Sequence, residues 1–152
     1  MTADRRVLNL ADEAATTRLG AAIGRVLEPG EAICLDGPLG AGKSTLARGL
    51  IRALAPGERD VPSPTFTLVQ FYDGARFPIA HFDLYRLTSP EEAFEIGLDE
   101  ALDGGAAVIE WAGRLAGQTP PDRLEVSLAL AGDGREARVL AHGAWKGRAL
   151  DL

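Results

Sequence analysis

Lysine is scarce in this chain: only Lys43 and Lys146 occur among the 16 basic residues, the remainder being arginine. Cysteine appears once, as Cys34, so no internal disulfide can form. With only His81 and His142 beside it, no zinc cluster of the usual spacings can be assembled, and any bound metal is expected to have oxygen ligands. No uncharged apolar stretch reaches the roughly 18 residues of a membrane span, and the start, MTADRRVLNL, lacks the long apolar region of a secretory signal. A soluble cytoplasmic protein with no membrane association is expected. Positive charge is also in deficit, the formal net charge being -6, whereas a surface that grips nucleic acid needs a basic footprint. Any role on RNA is therefore expected to run through partners.

What is present is ordinary globular composition, 46% hydrophobic and 25% charged over 152 residues, which predicts one domain across residues 1–152. Residues 6–10 form a short apolar segment. Asp12 then stands where a cap belongs, before a helix to about residue 26 with Ala15, Leu19, Ile23 and Val26 or Leu27 along one side. Residues 32–35, AICL, are apolar without alternation, as suits a strand covered on both faces in a parallel sheet. A glycine-rich turn follows at residues 37–42, then Leu46, Leu50, Ile51 and Leu54 at helical spacing. Residues 55–64 read as a loop, and residues 66–72 and 77–83 as a hairpin turning at Asp73-Gly74. Pro78 places the early part of the second of these strands at an edge. Ser89-Pro90-Glu91-Glu92 predicts a helix start with a proline at its first position. Residues 106–109, AAVI, repeat the buried-strand pattern, and residues 124–130 and 135–141 alternate around Gly132-Asp133-Gly134 as an antiparallel hairpin. The expected fold is α/β: a three-layer sandwich of the P-loop NTPase type, with a mixed, mostly parallel sheet and a C-terminal antiparallel hairpin.

Residues 37–44, GPLGAGKS, fit the phosphate-loop pattern G-x-x-x-x-G-K-[ST] in the context it requires, between a buried strand and an apolar-striped helix. Backbone N–H groups of Leu39, Gly40, Ala41 and Gly42, with the positive end of the following helix, can surround a polyphosphate. Lys43 is then expected to reach the β- and γ-phosphates of ATP or ADP, and the Ser44 hydroxyl to ligate Mg²⁺. Such a loop works with an acid at the carboxyl end of another strand. Glu110, directly after AAVI, is one candidate, and Asp83, closing FPIAHFD, is another. Glu110 is placed either to hold the metal through water or to orient the attacking water. His81 should point to the same side of its strand as Asp83, as a packed residue or as one that orients the acid. Cys34, inside a buried run, reads as core, and Arg86 as a charge-stabilising arginine or a surface residue.

These motifs resemble those of the TsaE (YjeE) family of bacterial P-loop ATPases. The resemblance runs from LADEAAT through GPLGAGKST, SPTFTLV, HFDLYRL and IEW to GREARV. It implies a role in making threonylcarbamoyladenosine in tRNA with the TsaB and TsaD proteins, TsaC supplying the activated intermediate and tRNA being met only through the complex. It further implies that Lys43, Ser44 and Thr45 bind nucleotide, that Glu110 is linked to magnesium, and that Asp83 is the acid of the HFDLY segment. Thr65 takes the position of a switch-like threonine near the γ-phosphate, and Trp111 that of a tryptophan beside the nucleotide pocket. Glu13 and Thr16 match a segment near the adenine, and Arg135 lies in the matching GREAR stretch. Pro38 departs from the pattern, where aspartate is usual.

Other readings can be weighed on the residues themselves. The Asn-Lys-x-Asp segment by which Ras-type GTPases read guanine is impossible, because the only asparagine, Asn9, precedes the loop. A small P-loop kinase would need a basic lid that the chain does not offer. A nucleotide-gated docking module, ordered through residues 63–67 and reset by hydrolysis, is the alternative from another class.

Overall fold

The computed structural model describes residues 4–58, 61–62, 64 and 68–152. In chain order these form β1 (Arg5–Leu10), α1 (Glu13–Val26), β2 (Ala32–Asp36), α2 (Lys43–Leu54), β3 (Val69–Asp73), β4 (Pro78–Asp83), α3 (Glu91–Glu95), α4 (Leu98–Leu102), β5 (Ala106–Glu110), β6 (Arg123–Ala131) and β7 (Gly134–His142). Short 3₁₀ helices follow β5 at Ala112–Leu115 and β7 at Gly143–Trp145.

All seven strands join one sheet in the order β1-β7-β6-β2-β5-β4-β3. The central ladder β6-β2-β5-β4 is parallel, with antiparallel pairs at both flanks. Because β1 opposes β7 and β7 opposes β6, β1 runs with the central strands, and only β3 and β7 run against them. Alternation within β2 and β5 explains the continuous apolar runs. Ile33, Leu35, Ala106 and Val108 enter the layer beneath α1 and α2, while Ala32, Cys34, Ala107 and Ile109 enter the opposite layer with Leu98 and Leu115. Helical residues thus cover both faces of the central strands, which makes the three layers.

The helices form where their ends are satisfied. Asp12 accepts a hydrogen bond from the Ala15 N–H at 2.8 Å and caps α1. The helix buries Leu19, Ile23 and the following Leu27 against Leu46, Leu50 and Ile51 of α2, each side chain contributing roughly 2 kcal/mol of transfer free energy. The two helices meet backbone to backbone: a Cβ on Gly20 would lie 2.1 Å from the Leu46 carbonyl oxygen, so Gly20→Ala would force them apart. At α3 the helix begins at Glu91, so Pro90 is its cap rather than its first residue and offers no side-chain capping bond; the Glu92 carboxylate instead accepts from the backbone N–H groups of Thr88 and Ser89, at 3.0 and 3.1 Å. Pro78 opens β4 and pairs only with Asp73 of β3, whereas the ladder to β5 begins at Ile79. Beyond its first residue, β4 is an interior strand. Among the described residues, no helix is long and apolar enough to cross a membrane.

Candidate functional site

Because β2, β5 and β4 are parallel neighbours, their carboxyl ends lie side by side. Register sets Glu110 opposite both Leu35 of β2 and Asp83 of β4, so the acids closing two separate sequence runs become adjacent. β2 leads into residues 37–42 and then α2, whose first turn points at the same spot. The loop entrance requires glycine: Gly37 has φ +144° and a Cβ there would lie 2.4 Å from the Leu128 carbonyl oxygen.

Lys43 is 5% exposed, and its ammonium donates to the carbonyl oxygens of Gly37 at 2.5 Å and Pro38 at 3.0 Å. It also sits 4.1 Å from the centre of the Trp111 ring. Burial pulls its pKa below the ordinary lysine value, opposed by the charges of Glu110, Asp36 and Asp83. Ser44 donates its hydroxyl to Glu110 Oε1 at 3.0 Å, while Glu110 Oε2 lies 2.6 Å from His81 Nε2. Asp83 accepts from the Tyr85 N–H at 3.0 Å; burial raises its pKa, partly offset by that bond, with the Glu110 charge adding to the rise. Trp111 holds a left-handed backbone (φ +59°) directly after β5, and Tyr85 packs against it with ring centres 4.8 Å apart.

Two clefts open on this loop. One, of about 480 Å³, is lined by Leu39, Gly40, Gly42, Lys43, Ser44, Thr45, Asp83, Tyr85, Arg86, Glu110 and Trp111. The other, of about 250 Å³, is lined by Asp12, Glu13, Thr16, Asp133, Gly134 and Arg135 and shares Gly40, Gly42 and Thr45 with the first. A polyphosphate chain bound across α2's N-terminus could therefore continue into a second compartment beside α1 and the β6–β7 turn. Arg135 joins the two walls, donating to the Gly40 carbonyl oxygen at 3.0 Å.

The sequence-predicted residues thus gather here, with two exceptions. Ala41 lies apart from the cleft linings: its methyl is buried in the core and its N–H donates to the Pro38 carbonyl at 3.2 Å. Thr65, with most of residues 63–67, lies outside the described residues. Sequence reasoning did not assign the Glu110 partnership of His81, the packing of Tyr85 on Trp111 or the tie from Arg135 to Gly40. The His81 side was readable from strand alternation, but its partner depended on the β4–β5 register.

A buried parallel strand, a glycine loop, a lysine-serine helix start and acids at neighbouring strand ends define the P-loop NTPase-like class of α/β folds. A family model described as threonylcarbamoyl adenosine biosynthesis protein TsaE matches residues 10–138. This chain belongs to the TsaE family. Among its relatives, the tRNA threonylcarbamoyladenosine biosynthesis protein TsaE of Treponema pallidum is 41% identical over 127 residues, 83% of this chain and 93% of that one. The protein of the same name from Bacillus subtilis is 37% identical over 129 residues, covering 84% and 78%. The crystal structure of Bacillus subtilis YdiB superposes with a TM-score of 0.76 and 31% identity, covering 92% of this chain and 87% of that chain.

Proposed function

We propose that this chain is a MgATP-binding P-loop ATPase that serves threonylcarbamoyladenosine modification of tRNA together with TsaB and TsaD, touching tRNA only through that complex. The observation that carries the reading is the convergence of Lys43, Ser44, Glu110 and Asp83 on one cleft at the start of α2. The family's role in threonylcarbamoyl adenosine biosynthesis supports the pathway.

The donor set fits a hard divalent cation. The Ser44 hydroxyl and the carboxylates of Glu110 and Asp83 are all oxygen ligands and line one cleft. That is the pattern for Mg²⁺, which keeps waters and takes substrate phosphates as its remaining ligands. When bound, it supplies charge neutralisation of the β- and γ-phosphate oxygens. Lys43, with two of its three N–H groups committed to Gly37 and Pro38, is held in place to direct the remaining one at phosphate. Its charge opposes the negative charge that develops as the γ-phosphoryl group leaves. Glu110 meets the Ser44 hydroxyl and is in position either to anchor the cation or to orient the attacking water. Trp111 covers the lysine from one side, and Tyr85 packs against Trp111. Glu13, Thr16 and Arg135 in the second compartment are assigned to the nucleoside end, and Thr45 to the phosphates.

The test is phosphate release from MgATP by the full chain, alone and with TsaB and TsaD, against Lys43→Ala. Expected are partner-stimulated turnover in the wild type and a loss of at least about 100-fold in the variant. ATP binding without turnover in either condition would replace the enzyme by a docking module, and absence of binding would sink the reading.

A further inference from the structure

Strand β4 alternates between the two core layers. Ala80 and Phe82 enter the layer of α3 and α4, Ile79 enters the other, and His81 and Asp83 continue on the Ile79 side. His81 therefore stands one step behind the cleft, 1% exposed, between a core residue and a cleft residue, with Val108 of β5 as its register partner. An aliphatic side chain would fill this position without losing hydration, whereas a buried imidazole costs free energy unless its nitrogens are bonded. Its Nε2 lies 2.6 Å from Glu110 Oε2, and among the described residues its Nδ1 has no hydrogen-bond partner. The arrangement with the proton on Nε2 is favoured, because it leaves only a lone pair at Nδ1 rather than a buried N–H without an acceptor. Among the described residues, the one polar bond of this side chain is thus directed at one oxygen of Glu110, and the other oxygen of the same carboxylate receives the Ser44 hydroxyl at 3.0 Å.

We propose that His81 is a positioning residue: it fixes the plane of the Glu110 carboxylate so that Oε1 faces Ser44, and thereby sets how strongly a divalent cation binds with the nucleotide. The inference rests on the MgATP reading above. His81 touches neither phosphate nor cation; it acts through Glu110, as outer partners of metal-linked carboxylates do.

The test measures affinity for a non-hydrolysable ATP analogue by calorimetry, in Mg²⁺ and in EDTA, for wild type, His81→Leu, His81→Gln and His81→Asn. The wild type is expected to gain affinity from Mg²⁺. His81→Leu should lose about tenfold of that gain while its affinity in EDTA stays unchanged. His81→Gln, whose amide nitrogen can stand near the Nε2 position and donate, should recover it. His81→Asn, which reaches only the Nδ1 position, should not, and this Gln–Asn contrast decides the matter if the leucine variant fails to fold. In a Glu110→Gln background, His81→Leu should have no further effect, since both changes act on one interaction. An undiminished Mg²⁺ gain in His81→Leu and His81→Asn overturns the inference and leaves the MgATP reading standing. So does an equal fall in both media together with a lowered melting temperature, which marks a purely structural role. A wild type that binds no nucleotide overturns the MgATP reading and this inference with it.

Discussion

Two glutamates, equally hidden, sit at opposite ends of the parallel strands. Glu31 immediately precedes β2 and is 4% exposed; Glu110 closes β5 and is 2% exposed. Glu31 accepts both guanidinium nitrogens of Arg148, at 2.6 and 2.7 Å, and the Glu28 N–H at 3.0 Å. Arg148 in turn lies over the Trp145 ring at 4.4 Å and donates to the Val26 carbonyl at 3.0 Å. This carboxylate is saturated by a permanent cation and ties the C-terminal segment beneath the sheet. Among the described residues, Glu110 has no such cation as a hydrogen-bond partner. A serine hydroxyl and an imidazole hold it, and the hydroxyl can turn to another partner. Burial therefore does not separate a carboxylate anchored to a permanent cation from one held by exchangeable partners; the identity of those partners does.

The largest effect should come from breaking the anchored end. Glu31→Ala leaves Arg148 facing a gap, and loss of one partner of such a pair should lower unfolding free energy by about 3 kcal/mol. Arg148 keeps 20% exposure, which holds the cost to the low end of the range for buried pairs. Denaturant unfolding checks the size, and unchanged nucleotide affinity checks that the effect stays at its own end. Glu110→Gln should do the reverse, cutting phosphate release about 100-fold while leaving the denaturation midpoint in place. A midpoint that falls as far as in Glu31→Ala would erase the distinction between the two glutamates.

A smaller effect concerns Asp83, beside Glu110. Burial raises its pKa above the ordinary carboxylate value, so the folded state binds its proton more tightly than the unfolded state. Stability attributable to this group therefore falls as pH rises from the unfolded to the folded pKa, and the penalty is complete above the latter. Asp83→Asn should melt a few degrees higher than wild type at neutral pH, with the gain vanishing as acid protonates the aspartate in both states. A gain that persisted in acid would point to packing rather than charge.

How much of this was legible in the sequence follows from the range of each interaction. The parallel core was readable because AICL and AAVI are buried on both faces, and the loop because its spacing is local. Asp83 and Glu110 were each expected at the end of a strand, as two candidates for one acid, but their adjacency comes from the β4–β5 register. The bond between His81 and Glu110 spans 29 residues and depends on a parallel register that no local pattern encodes. The Glu31–Arg148 clasp spans 117 residues, and neither side chain stands in a motif. α4 and the 3₁₀ helices are five residues or fewer, too short to show a helical period. Residues 6–10 read only as an apolar segment, because a strand at the sheet's edge is defined by its neighbour, here β7.

Cys34 offers the finest probe of the contrast, since it lies on β2 between the two ends. Burial pushes its thiol up to about 12, the Arg123 charge opposing and Glu125 and Asp36 assisting. It is 2% exposed in the layer beneath α3 and α4. Since the thiolate is the reacting form, native protein at neutral to mildly alkaline pH should resist an alkylating reagent that labels it promptly in denaturant. Glu110→Gln should not change this, because it alters the chemistry at one end without raising the population of open molecules. Glu31→Ala should label slowly under the same conditions, through that larger open population. Equal labelling of the two variants, measured by mass spectrometry, would mean that the carboxyl end also supports the sheet and that the division of labour between the two glutamates fails.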